Sequence, residues 1–170
     1  MARTRWLIDQ IVRFLSCLLL SAMIVVVAWQ VFSRYVLNAP STFSEEVLRY
    51  GVIWLSLIGA AYATGRGTHM AVDLFKEMTR GRLRLMLEIL VPVAFIVFAI
   101  AVLIIGGIRA VNIAAQQYSA VLRIPMGAVY AALPTSGVLI ILYSILNIVE
   151  LLQGRHIELA PAEKAVAVGD

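Results

Sequence analysis

"FLSCLLLSAMIVVVAWQVF", Phe14 to Phe32, contains no charged side chain, and its polar members are only Ser16, Cys17, Ser21 and Gln30. A bilayer's hydrocarbon layer is about 30 Å thick and each helical residue rises about 1.5 Å, so a crossing needs about 20 apolar residues. This stretch meets that requirement and reads as a retained spanning helix. A cleaved leader fits it less well. The apolar part of a leader is usually about 7 to 15 residues and ends at a small-x-small site, whereas this run is longer and ends in "QVFSRY".

Three more segments follow outward from it. The second, about 44–63, carries Arg49 in its first turns and is uncharged from Tyr50 to Thr64. The third, about 85–108, has Glu88 at its entrance and Pro92 one turn later; a spanning helix tolerates such a proline when neighbours satisfy the freed carbonyl. The fourth, about 125–152, is interrupted by Pro125 and Pro134, so Pro125 to Leu133 reads as a helical lead-in and Pro134 to Leu152 as most of the span. The chain is 62% hydrophobic and 14% charged, with a mean hydropathy of +0.92. An average soluble domain is about half apolar and a quarter charged. The expected fold class is therefore all-α: an integral membrane protein of four transmembrane helices over residues 1–152, with a loose tail at 153–170.

Four crossings place both termini on one side. Of the 14 Lys and Arg residues, Arg34, Arg49, Arg109 and Arg123 fall on the opposite side and the rest with the termini. That excess predicts cytoplasmic termini. The net charge of +4 then reflects topology and anionic lipid headgroups rather than nucleic acid. On the cytoplasmic side, "TGRGTHMAVDLFKEMTRGRLR", Thr64 to Arg84, opens with a turn at Gly65 and Gly67. Met70, Leu74 and Met78 then recur at four-residue steps, predicting a short interfacial helix anchored by Arg80, Arg82 and Arg84.

Between the first two spans lies "RYVLNAPSTFSEEVLRY", Arg34 to Tyr50, which gathers two arginines and two glutamates beside a helix start. Thr42 with Glu45 has the form of a capping box, with Ser44 as a rival cap. Glu45 and Arg49 are spaced i to i+4 and Glu46 and Arg49 i to i+3, so either pair can meet on the helix surface. A sharper reading has Arg34 reach these carboxylates, fixing the hairpin or presenting a polar corner to a partner.

The middle of each span is poor in ionisable groups; Ser21, Ser56, Ser136 and Ser144 are the main polar side chains at depth. Intramembrane acids and bases usually mark ion paths and proton relays, and here they keep to the borders. Glu88, four residues after Arg84, suits an interfacial pair. Glu150 lies near the inner end of the fourth helix. His69 and His156 fall outside the spans, so no haem ligand pair is available, and one cysteine with two histidines cannot assemble a zinc set. No catalytic residue, metal site or cofactor is expected. Gly51, Ser56, Gly59, Ala60 and Ala63 on the second helix, and Gly106, Gly107 and Ala110 on the third, allow close backbone approach, to this chain or to another. Trp29, Tyr35, Tyr118 and Tyr130 are candidates for the aromatic belt, with Trp54 deeper.

Taken in order, "WQVFSRYVLNAPSTFSEEVLRYGVIWLSLIGAAYATGRGTHMAVDLF" and, two helices on, "LRIPMGAVYAALPTSGVLIILYSILNIVELL" resemble the small permease subunit of tripartite ATP-independent periplasmic (TRAP) transporters. The resemblance covers about Trp29 to Leu152. It rests on RY-x-x-N, S-E-E-x-x-R, GAA and the His69 to Asp73 element in the expected order. Phe43 departs from the pattern, standing where a tryptophan is expected; the aromatic anchor is kept and an indole hydrogen bond is lost.

The resemblance implies a bacterial inner-membrane subunit that docks on a large multispan permease holding the substrate and ion sites, while an extracytoplasmic solute-binding protein delivers an organic acid. Arg34, Glu45, Glu46 and Arg49 would then form an assembly cluster facing the partner or a lipid headgroup in the seam, with no substrate-binding residue of the chain's own. The rival expectation is a self-sufficient four-helix carrier acting as an oligomer. For cation cargo, that reading calls for a carboxylate in midspan.

Overall fold

The computed structural model describes residues 2–39, 41–66 and 82–152. The expected interfacial helix around 70–80, His69, and the tail from 153 lie outside them. Within them the chain is helical, with one isolated bridge between Tyr118 and Pro125 and no strand.

Helix α1 runs Ala2–Tyr35 and α2 Thr42–Arg66. A continuous helical run follows: α3 at Arg82–Phe98, a π-helical segment at Ala99–Gly106, and α4 at Gly107–Ala114. After a loop come α5, Met126–Tyr130, and α6, Ala132–Leu152. Among the described residues, four stretches are long and apolar enough to cross a membrane: Arg5–Tyr35, Thr42–Arg66, Ile89–Ala114 and Met126–Leu152. The helices extend beyond the apolar runs because backbone hydrogen bonding continues into the polar border. Pro92 lies inside α3, and Pro134 falls in the first turn of α6, where a missing N–H costs little.

The ends of the first hairpin are set by small polar residues. Asn38 takes the left-handed conformation (φ 51°), which Asn tolerates better than most residues. That bend lets the Ala39 N–H donate to the Ser33 carbonyl (3.2 Å), while the Ser33 hydroxyl donates to the Ala39 carbonyl. The cap of α2 is Ser41, not Thr42 or Ser44 as the sequence suggested. Its Oγ accepts the Ser44 N–H (3.4 Å) and shares a 2.7 Å hydrogen bond with the Ser44 hydroxyl. Thr42 is displaced from the capping role because it already begins the helix. Gly65, expected in a turn, is helical and buried near the end of α2.

The spans lie side by side in the order first, second, fourth, third: α1 packs on α2, α2 on α6, and α6 on the run from α3 to α4. The small core joins Ala61, Ala99, Leu103 and Ile140, flanked by Phe95, Leu133, Leu139 and Ile141. Glycines set these contacts. A Cβ on Gly107 would stand 2.9 Å from the Leu133 Cβ, and one on Gly137 2.9 Å from the Leu103 Cβ, so the third and fourth spans approach almost backbone to backbone. Gly51 likewise faces Met23. Gly59 meets nothing within 4 Å, and it lies with Val52, Ile53, Ser56 and Ala60 on the exposed face of α2.

Helix α1 packs chiefly on α2, and Val12 is its one buried large apolar side chain among those described. In water so exposed a surface would aggregate; in a bilayer it faces hydrocarbon.

Candidate functional site

Polar side chains gather at the two ends of the row. The end carrying the loops 36–41 and 115–125 holds Arg34, Glu45, Glu46 and Arg49. Three of these are exposed, and none of the three pairs with another described residue. Glu46 alone turns inward and is only 8% exposed.

The Glu46 carboxylate reaches across to the loop between the third and fourth spans. Its Oε2 accepts the N–H groups of Leu122 (2.7 Å) and Val121 (3.3 Å) and the Ser119 hydroxyl (3.2 Å). Its Oε1 accepts the Ala120 N–H (3.1 Å) and the Tyr50 hydroxyl (3.1 Å). A carboxylate offers about four lone-pair sites, so this one is saturated. Three successive backbone N–H groups form an anion-holding nest, and Glu46 fills it. The loop keeps its shape by closing on itself. Ser119 N–H donates to the Ile124 carbonyl (3.0 Å), Met126 N–H to the Gln117 carbonyl (2.8 Å), and Ile124 N–H to the Ser119 Oγ (3.2 Å), with Arg123 left-handed (φ 52°) at the corner.

This geometry explains why the expected Glu45–Arg49 and Glu46–Arg49 pairs are missing. Glu46 is held by donors that the loop fixes in place, whereas an arginine on an open helix face loses rotamer freedom for little gain. Glu45, one residue earlier, points about 100° away around the helix and stays in the open. Sequence reasoning missed Ser119 and the loop because Ala120, Val121 and Leu122 donate through their backbone. A trace remained in Tyr50, at the i+4 position from Glu46.

The opposite end is more tightly tied. The Arg5 guanidinium forms an ion pair with Glu150 and donates to the Asn147 Oδ1 (3.3 Å) and the Gly65 carbonyl. The Asn147 amide donates to the Thr64 carbonyl (3.0 Å), and the Tyr143 hydroxyl to the Asp9 Oδ1 (2.9 Å). Among the described residues, Arg5–Glu150 is the one ion pair. Glu150, read from sequence as a group near the inner border, therefore joins α6 to α1.

At depth, Ser21 and Ser56 are exposed, Ser136 donates to the Leu133 carbonyl (2.8 Å), and Ser144 is fully buried. Trp54 is half-buried, while Trp29, Tyr35, Tyr118 and Tyr130 are exposed.

Residues 23–154 match the family model described as "Tripartite ATP-independent periplasmic transporters, DctQ component". The chain is also 29% identical over 153 residues to the sialic acid TRAP transporter small permease protein SiaQ of Vibrio cholerae serotype O1, a match that covers 88% of each protein. Family match, four membrane-crossing helices and helical fold agree with the order of motifs read from the sequence. The chain therefore belongs to the DctQ-component family of tripartite ATP-independent periplasmic transporters, as a multi-pass membrane component of a transport system and not an enzyme.

Proposed function

We propose that this chain is the small scaffold subunit of an ion-gradient-driven, binding-protein-dependent importer of organic acids, and that cargo crosses through a large multispan permease beside it. It sits in the bacterial inner membrane with both termini cytoplasmic, as the distribution of its arginines and lysines supports. A solute-binding protein on the far side supplies the substrate. The relative's named cargo, sialic acid, is itself an organic acid.

One observation carries the scaffold role: each covered carboxylate in the described fold holds helices together. Glu46 fills the loop nest, Asp9 accepts from Tyr143, and Glu150 pairs with Arg5. A transporting carboxylate must be able to release its partners to bind an ion or proton, whereas these three join α1, α2 and α6 to one another or to the loop.

The large permease seats on the outward face of α2. Glu45, Arg49, Val52, Ser56 and Gly59 recur at three- and four-residue steps and are all exposed, so they share one side of the helix. Arg34 stands near that face's charged end, and lipid covers the rest. Glu46 acts from behind it, fixing the start of α2 against the loop. Reconstitution tests the role: with purified large permease and binding protein, uptake should require this chain, and an unchanged rate without it sinks the proposal. Glu45→Ala and Arg49→Ala should weaken co-purification with the large permease while membrane insertion is kept. A charge that is covered in the complex and loses its partner weakens association roughly a hundredfold or more, and a water-facing one by less than about tenfold.

A further inference from the structure

We infer that the end of the row where α1 begins and α6 ends is a built receptor for a guanidinium group, filled in cis by Arg5, which clasps α1 onto α2 and α6. The receptor is assembled from three acceptors of different origin: the Glu150 carboxylate, the Asn147 side-chain oxygen and the Gly65 main-chain carbonyl. Their placement follows from helix geometry. The last four carbonyls of any α-helix lack an intrahelical donor, and the dipole gives that end a partial negative charge. On α2 the Thr64 and Gly65 carbonyls lie in the last described turn, and both accept from outside the helix, Thr64 from the Asn147 amide and Gly65 from Arg5. The first of these bonds also orients Asn147: donating its NH2 to Thr64 holds the amide so that its oxygen faces the guanidinium.

Two ladders make the clasp. Arg5 and Asp9 are one turn apart on α1, and Tyr143, Asn147 and Glu150 share a face of α6 at four- and three-residue steps. The two helices run in opposite directions, so Arg5 meets Asn147 and Glu150 while Asp9 meets Tyr143. Helix α2 lies between them, and Gly65 is the opening in it: a Cβ there would stand 2.3 Å from the Tyr143 ring. The Arg5 and Glu150 side chains are 17% and 18% exposed, so the site is largely covered yet within reach of small ions. Because α1 buries so little apolar surface, this polar clasp carries an unusual share of its attachment.

A planar fork of five N–H donors suits three acceptors set apart from one another, and an ammonium, a compact point charge on a flexible stem, does not reproduce that geometry. Free guanidinium should therefore replace the missing side chain. The full chain is reconstituted in nanodiscs and its thermal unfolding followed for wild type, Arg5→Ala, Arg5→Lys, and Arg5→Ala with Glu150→Gln. Arg5→Ala should lower the Tm by on the order of 10 °C, and millimolar guanidinium chloride, far below denaturing levels, should restore most of that loss. Sodium and tetramethylammonium chloride at equal ionic strength should not. Adding Glu150→Gln should abolish the rescue, and Arg5→Lys should fall between wild type and Arg5→Ala. Rescue by sodium to the same degree reduces the contact to charge screening and overturns the inference. So does an Arg5→Ala protein as stable as wild type, or an absence of rescue. If Arg5→Ala does not fold, the lysine variant decides: a Tm equal to wild type overturns the guanidinium-specific receptor, and a clear fall supports it.

Discussion

Replacing Gly65 with alanine tests whether the last turn of α2 is an opening for α6 side chains. The added Cβ would lie 2.3 Å from the Tyr143 Cδ1, 2.6 Å from Cε1 and 2.7 Å from Cγ. Nonbonded carbons settle at about 3.5 to 4.0 Å, so the ring must retreat by roughly 1 Å or more. Tyr143 is 0% exposed, so the ring must press on its neighbours to move. Overpacking of this kind costs about 1 to 3 kcal/mol. Retreat also breaks the 2.9 Å hydrogen bond to Asp9, and bonds to charged groups contribute about 1.5 to 3 kcal/mol. Against this, alanine is the better helix former by about 1 kcal/mol. The net loss is about 2 to 5 kcal/mol, which at about 2 to 4 °C per kcal/mol for a chain of this size lowers the Tm by on the order of 10 °C. Gly59→Ala is the matched control. It gains the same helix propensity and, with nothing within 4 Å of its Cβ, adds no contact in the isolated subunit. Thermal unfolding of both variants in one detergent gives the comparison. A Gly65→Ala protein as stable as Gly59→Ala refutes the reasoning, because the ring would then have had room to move.

Glu46→Ala leaves the Ala120, Val121 and Leu122 amides without their acceptor, so hydrogen exchange at those three should accelerate while exchange along α6 is unchanged; equal exchange in variant and wild type would show that the loop holds itself. Gly137→Val forces a branched side chain against Leu103, Ile104 and the Ala99 carbonyl and should separate the third and fourth spans, costing about 2 kcal/mol or more of stability. A cysteine cross-link placed between those spans and still forming at the wild-type rate would count against it. Ser41→Ala removes the cap of α2 and should cost about 1 kcal/mol, whereas Thr42→Ala, at the first helical position, should cost less; the reverse order in unfolding measurements would return the cap to Thr42.

Some of this is local physics, legible one segment at a time. Whether a run such as Phe14 to Phe32 enters a bilayer depends on the summed transfer of its own side chains and on hydrogen bonds closed within the helix, so four spans follow from composition and length. The interruption of the fourth span between Pro125 and Pro134 is local in the same way. The charged corner was visible as a cluster, but its internal pairing was not. Glu46 prefers backbone donors 74 to 76 residues away, and a backbone N–H has the same chemistry in every non-proline residue, leaving no mark in "SAVL". Arg5 and Glu150 stand 145 positions apart, each looking like an ordinary border charge. Only the packing order of first, second, fourth and third spans brings these two residues together beside Gly65. That order is set by which small residues let which backbones touch: Gly107 and Gly137 found neighbours within the chain and Gly59 did not. Small residues occur in all three helices, so the choice belongs to the assembled fold, where shape complementarity between whole helix faces decides it.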